Sequence, residues 1–195
     1  MNGVKKAIRQ INLSLGNKQN KILAFTTSES IIAQRTIVAN LGMMYARANK
    51  RTIILDTDFT TEIFLKTFNL SKGQGLSNYI DDNSVDLKEI IRKVSVPNLS
   101  VISSGTLSLD DTQYLIGDSR FCTLLERVSQ DYDRVLINIM MSPDSVTLSR
   151  ITESADGTIM IVNPKQTRKK KIYQMMRELC AAKVNIIGYI STKIK

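Results

Sequence analysis

The feature that most constrains this chain is a recurrence: short, almost wholly apolar runs, each followed by a stretch with helical periodicity. The runs are KILAFTT (21–27), RTIILDTD (51–58), NLSVISSG (98–105), RVLINIM (134–140), GTIMIVN (157–163) and VNIIGYIST (184–192). A strand with one wet face alternates apolar and polar residues, whereas a strand covered on both faces reads as a continuous apolar run. Between these runs the spacing predicts helices over 3–15, 31–49, 60–67, 110–131, 144–154 and 166–182. In the first helix Val4, Ile8, Ile11 and Leu13 fall on or near one face. Strands alternating with helices predict an α/β fold, a doubly wound, mostly parallel sheet with helices on both faces. No internal repeat or low-complexity linker divides the chain, so residues 1–195 are expected to form one domain.

Composition removes several function classes. There is no histidine, and the two cysteines, Cys122 and Cys180, lie far apart, which argues against a zinc site. No apolar run reaches the roughly 18–20 residues that span a bilayer, and residues 1–20 lack a signal-peptide core. A cytoplasmic protein is expected. Charge is unevenly placed. Residues 1–21 hold five Lys/Arg and no acid, and residues 165–195 hold nine Lys/Arg and one acid. Residues 22–164 hold 13 Lys/Arg and 17 Asp/Glu. A slightly acidic body with two basic ends predicts a surface for anionic lipid or an acidic peptide, or else a pair of solvated helices. Four consecutive cations, Arg168, Lys169, Lys170 and Lys171, open the helix predicted over 166–182. They oppose its dipole and so do not serve helix stability. Met175 and Met176 are expected to pack in the core.

In a sheet of this type ligands sit at the carboxyl ends of the strands. The first strand runs into TTSESIIAQRTIVANLG (26–42), and here the chain resembles a known family. Taken in order, TTSES with IVANLG, IILDTDF, FNLSKGQGLSNYI, LSVISSG, DYDRVLINIMMSP and ESADGTIMIVNPKQT resemble the bacterial tyrosine kinases of capsule and exopolysaccharide synthesis. That family belongs to the MinD/ParA-like deviant-Walker P-loop proteins. The resemblance implies a P-loop NTPase-like fold over nearly the whole chain, and it assigns roles to particular positions.

The departures fall on those positions. The family's phosphate loop uses glycines so that successive N–H groups turn inward around phosphate. Ser30–Thr36 instead reads Ser30, Ile31, Ile32, Ala33, Gln34, Arg35, Thr36, with Ile31 and Ala33 at the glycine positions. The Walker lysine aligns with Gln34, the metal-binding hydroxyl with Arg35, and the Walker B aspartate with Asn138. Thr36 carries a hydroxyl one position late. Asp56 and Asp58, which in the family support magnesium and activate the attacking hydroxyl, are retained. With Ser28 or Ser30 as a cap, the loop also reads as an ordinary strand-to-helix turn.

The resemblance, together with these departures, implies a catalytically inactive kinase-like protein with no ATP or magnesium cofactor. It would act by binding a membrane polysaccharide co-polymerase that regulates chain length, or an active kinase paralogue. Its expected place is the inner face of the membrane, with Arg168–Lys171 as partner surface. The tyrosine-rich tail of the kinases has no counterpart in the sequence, and Gly3 stands where their ring-forming glutamate would. Two other readings stay open: an ATP-binding kinase or ATPase with an altered loop, and a partitioning-type protein that binds DNA through its basic ends. Nucleic acid is the less expected partner, because Tyr173 is the only aromatic within the basic run. Two buried carboxylates without metal or lysine need another cation, so Arg35 is expected to pair with Asp56 or Asp58.

Overall fold

A computed structural model describes residues 2–14, 20–29, 31–107, 115, 118–139, 145–165 and 167–192. The elements in chain order are α1 (Asn2–Ser14), β1 (Ile22–Thr27), α2 (Ile31–Arg47), β2 (Thr52–Asp56), α3 (Ile63–Thr67), α4 (Leu76–Asp81), α5 (Leu87–Ile90), β3 (Ile91–Lys93) and β4 (Leu99–Ile102). They continue with α6 (Ser119–Asp131), β5 (Arg134–Asn138), α7 (Ser145–Glu153), β6 (Gly157–Val162), α8 (Lys169–Ala181) and β7 (Ile186–Ser191). One seven-stranded sheet has the order β3-β4-β2-β5-β1-β6-β7. All pairings are parallel except β3 with β4.

The apolar runs form strands because helices cover both faces. Ala24, Leu55, Ile137 and Met160 face one layer with Phe121 and Leu124 of α6, Ile151 of α7, and Met175 and Leu179 of α8. Their neighbours Leu23, Phe25, Ile54, Leu136 and Ile161 face the opposite layer with Ile8 of α1 and Val38 and Leu41 of α2. Side chains alternate along each strand, so a one-residue slip would exchange the two cores. Helix α2 lies close on the sheet because Gly42 has no side chain. A Cβ there would come within 2.9 Å of Ile54 Cδ1.

All six predicted strands are present. The sequence reading missed β3, α4 and α5. Helix α4 begins where the segment after β4 meets the glycine-rich stretch: Leu76 N–H donates to Ser103 O and Ser77 N–H to Ser104 O, each at 2.8 Å. A Cβ on Gly75 would lie 2.5 Å from Ser103 O, and Gly105 has φ +105°. Two stretches singled out separately, KGQGLSNYI and LSVISSG, are thus two sides of one backbone contact. Helix α8 starts at Lys169, because Arg168 is extended (φ −64°, ψ 136°). Two packing expectations change. Leu13 is 77% exposed, while Ile8 is buried and Ile11 packs against the same cluster, and Met176 is 42% exposed while Met175 is buried. The 110–117 part of the helix predicted over 110–131 lies outside the described residues apart from Leu115.

Candidate functional site

β1, β2 and β5 lie side by side, and their carboxyl ends with the first turns of α2 make one corner. Asp56 ends β2 directly across from Asn138, which ends β5. Gln34 and Arg35 lie in the first turns of α2. The sheet register and the β1–α2 turn therefore bring together five of the residues singled out from sequence: Gln34, Arg35, Asp56, Asp58 and Asn138.

Gln34 is fully buried. Its Nε2 donates to Ile139 O at 2.7 Å and to Asn138 Oδ1 at 2.9 Å. A backbone carbonyl only accepts, so Ile139 O fixes the amide orientation of Gln34. Asn138 must then present its oxygen to Gln34 and its nitrogen onward, and Asn138 Nδ2 donates to Asp56 Oδ1 at 2.8 Å. Asp56 Oδ1 also accepts from Asp58 N–H at 3.2 Å. Gln34 is thus the head of a neutral amide relay ending on the Asp56 carboxyl group.

Arg35 forms an ion pair with Asp58, with side chains 11% and 2% exposed. Asp58 Oδ1 accepts in addition from Thr60 N–H at 3.1 Å and from the Thr60 hydroxyl. Burial pushes the Asp56 carboxyl up to about 7. The Asn138 amide opposes that shift, and the neighbouring Asp58 charge adds to it. One guanidinium stands by two buried carboxyl groups: it pairs with Asp58, and Asp56, which is met by the Asn138 amide instead, holds its proton toward the neutral range.

Thr36 turns its hydroxyl back onto its own helix, donating to Ile32 O at 2.8 Å, and does not enter the corner. Ala33 packs in the core, and Ile32 is 72% exposed. Ser30, the side chain of Ile31 and residues 140–143 lie outside the described residues. Thr57 was not anticipated from sequence. Its N–H and hydroxyl donate to Asn138 O at 3.0 and 3.1 Å and tie β2 to β5 where the relay passes. Also unanticipated is Glu29, just past β1, which forms an ion pair with Lys171 of α8. Arg168, Lys169 and Lys170 are exposed beside it. Among the described residues no group of three or more His, Cys, Asp or Glu side chains is placed to hold a metal ion. No helix among them is long and apolar enough to cross a membrane.

Magnesium and ATP do not fit these residues. Both Gln34 Nε2 protons are committed to protein acceptors. A guanidinium stands by Asp58 where a metal would need the carboxylate, and Asn138 brings no charge. Phosphate would also meet α2 without a glycine cradle.

No protein-family profile matches the chain. It is 26% identical over 188 residues to the tyrosine-protein kinase ptk of Acinetobacter johnsonii, covering 95% of this chain and 25% of that protein. It is 25% identical over 184 residues to the tyrosine-protein kinase CpsD of Streptococcus agalactiae, covering 94% of this chain and 78% of that protein. The chimerical protein CapA2B2 superposes at a TM-score of 0.87 with 20% identity, over 98% of this chain and 85% of that one. The MinD–Mg-ADP complex of Pyrococcus horikoshii superposes at 0.71 with 15% identity, over 88% and 69%. The fold is that of the P-loop NTPase-like proteins. The homologues of this chain are bacterial tyrosine kinases of capsule biosynthesis.

Proposed function

We propose that this chain is a single-domain, catalytically inactive relative of the capsule tyrosine kinases that acts in polysaccharide synthesis by binding another protein. The observation that carries this reading is the occupied corner: Arg35 on Asp58 and Gln34 on Asn138 and Ile139. Phosphoryl transfer depends on positioning and on cations that neutralise developing charge. Here the lysine, the metal hydroxyl, the Walker B carboxylate and the loop glycines are all replaced, and loss of one such electrostatic element alone costs about 10²–10³ in rate.

The partner is a membrane chain-length regulator or an active kinase paralogue, met at the inner face of the membrane. Arg168, Lys169 and Lys170 support this: they are exposed, carry one sign of charge and lie beside the former phosphate loop. Isothermal calorimetry of the full chain with ATP and magnesium tests the first half of the reading. The expected result is no heat of binding at ordinary protein concentrations, with Gln34→Lys/Arg35→Ser equally silent because Asn138 and the loop are unchanged. Micromolar affinity in the parent chain would overturn it.

A further inference from the structure

β7 is the last strand of the sheet, and among the described residues none pairs with its outer side. Its sequence, IIGYIS, contains no charge and no proline. Sheet edges are ordinarily blunted by such residues, because a row of free N–H and C=O groups is a template for another strand. Thr192 N–H donates to Val162 O at 2.8 Å, so alternation aims the N–H and C=O of Tyr189 and Ser191 away from β6. The register is irregular only at Thr158/Ile159, which leaves Gly188–Ser191 regular.

The surroundings of this edge are specific. Tyr189 pairs with Met160, whose side chain packs with Met175 and Leu179, so Tyr189 projects on the α8 side of the sheet. One shoulder of α8 (Lys171, Gln174, Glu178) lines a cleft with Thr26–Ser28 at the end of β1. At 100° per residue, Tyr173 and Met176 lie on the opposite shoulder, toward β7. Tyr173, Met176 and Tyr189 are 67%, 42% and 73% exposed. Lys169 and Arg177 border that shoulder, and Lys183 lies in the turn that leads to β7; all three are exposed.

We propose that the free edge of β7 takes an extended acidic segment of a partner protein as an eighth strand, under the aromatic and basic shoulder of α8. Main-chain bonds to Tyr189 and Ser191 would supply affinity, and alternate acidic side chains would meet Lys169, Arg177 and Lys183. A second copy of this chain is the poorer occupant, since pairing β7 with β7 about a twofold axis would bring these cations together. The inference does not depend on the state of the former nucleotide corner and stands or falls separately from the reading above.

The test uses the full chain and a labelled twelve-residue peptide of alternating Glu and Val with one central Phe. Two controls are its Lys-for-Glu counterpart and an analogue interrupted by proline. The expected result is binding by the acidic peptide at least about tenfold tighter than by either control, with slowed hydrogen exchange at Tyr189 and Ser191. Tyr189→Pro removes an outward N–H while leaving the β6 side intact and should weaken binding at least about tenfold. If that variant does not fold, Tyr189→Asp serves, since it adds like charge at the same place. Equal binding of all three peptides, or protection confined to α8, would overturn the proposal. So would self-association of the parent chain that Tyr189→Asp abolishes, because the occupant would then be a second copy.

Discussion

The corner at the ends of β1, β2 and β5 and the rim formed by α8 and β7 solve the same electrostatic problem in opposite ways. In the corner, charge is buried and answered from within: Arg35 meets Asp58, and Asp56 stays protonated into the neutral range. At the rim, Arg168, Lys169 and Lys170 are exposed cations, and among the described residues the ion pair seen there is that of Lys171 with Glu29. Charge in a low-dielectric interior cannot be left unmatched, whereas water tolerates it at a surface. The corner is filled by its own side chains, Gln34, Arg35 and Asn138 against Asp56 and Asp58, and the excess of cations lies outside it, on α8. The comparison predicts that substitutions in the corner act on stability and those at the rim on association.

The largest effect is expected from breaking the buried ion pair. Arg35→Ala should lower unfolding stability by about 3–5 kcal/mol, because it leaves buried carboxylates without a cation. Magnesium should restore part of that loss in the variant and have no effect on the parent. Arg35→Met/Asp58→Asn, which removes both charges, should be far less destabilised than Arg35→Ala. A double-mutant cycle by denaturant unfolding measures the coupling. Additive single-site costs would mean that the pair is not holding the corner together.

The next effect is a pH dependence of unusual sign. A carboxyl group near 4 in the unfolded chain and at about 7 in the fold binds its proton more tightly when folded. Its contribution is therefore fully present below about pH 4 and declines as pH rises through about 7, by on the order of 3–4 kcal/mol at most. The charged and polar groups facing Asp56 are Asp58, Arg35 and Asn138. Thermal melts between pH 4.5 and 8 should show stability falling, and Asp56→Asn should flatten the slope. An unchanged slope in that variant would place the titrating group elsewhere.

Much of this corner was legible in the sequence, for a physical reason. The residues at the ends of buried parallel strands have fixed neighbours once strand order is known, and an arginine at the start of the helix after β1 has few partners in a covered crevice other than the two carboxylates at the end of β2. The choice of Asp58 over Asp56 was not legible. It follows from Asn138, which occupies Asp56 through its amide, and that pairing depends on the β2–β5 register. The small elements α4, α5 and β3 were missed because their signals are tertiary. β3 has three residues and pairs antiparallel with β4, and α4 starts on carbonyls of the segment after β4. Two acids in the family-like motifs, Asp133 and Asp156, lie away from the corner. They accept from the backbone N–H groups of Arg51 and of Lys21 and Ile22, and so fix the starts of β2 and β1. Sequence spacing cannot separate such structural carboxylates from functional ones.

The smallest stability effect should come from the rim, which is what distinguishes it from the corner. Arg168→Gln/Lys169→Gln/Lys170→Gln changes exposed side chains and should alter unfolding stability by within about 0.5 kcal/mol. Removing three like charges near the positive end of the α8 dipole acts, if anything, in the stabilising direction. Lys171→Gln is a separate case. It breaks the Glu29 ion pair, in which the lysine side chain is 52% exposed, and a pair that open to water contributes roughly 0–1 kcal/mol. Association is where the triple variant should differ. Binding of the parent chain to phosphatidylserine-containing vesicles should weaken as salt rises and the Debye length shrinks below about 10 Å, and the triple variant should bind more weakly with a flatter salt dependence. Co-sedimentation across a salt series measures both. If parent and triple variant bind such vesicles alike at every salt concentration, the run is a solvated helix face, and the contrast between a sealed corner and an open rim reduces to the β7 edge alone.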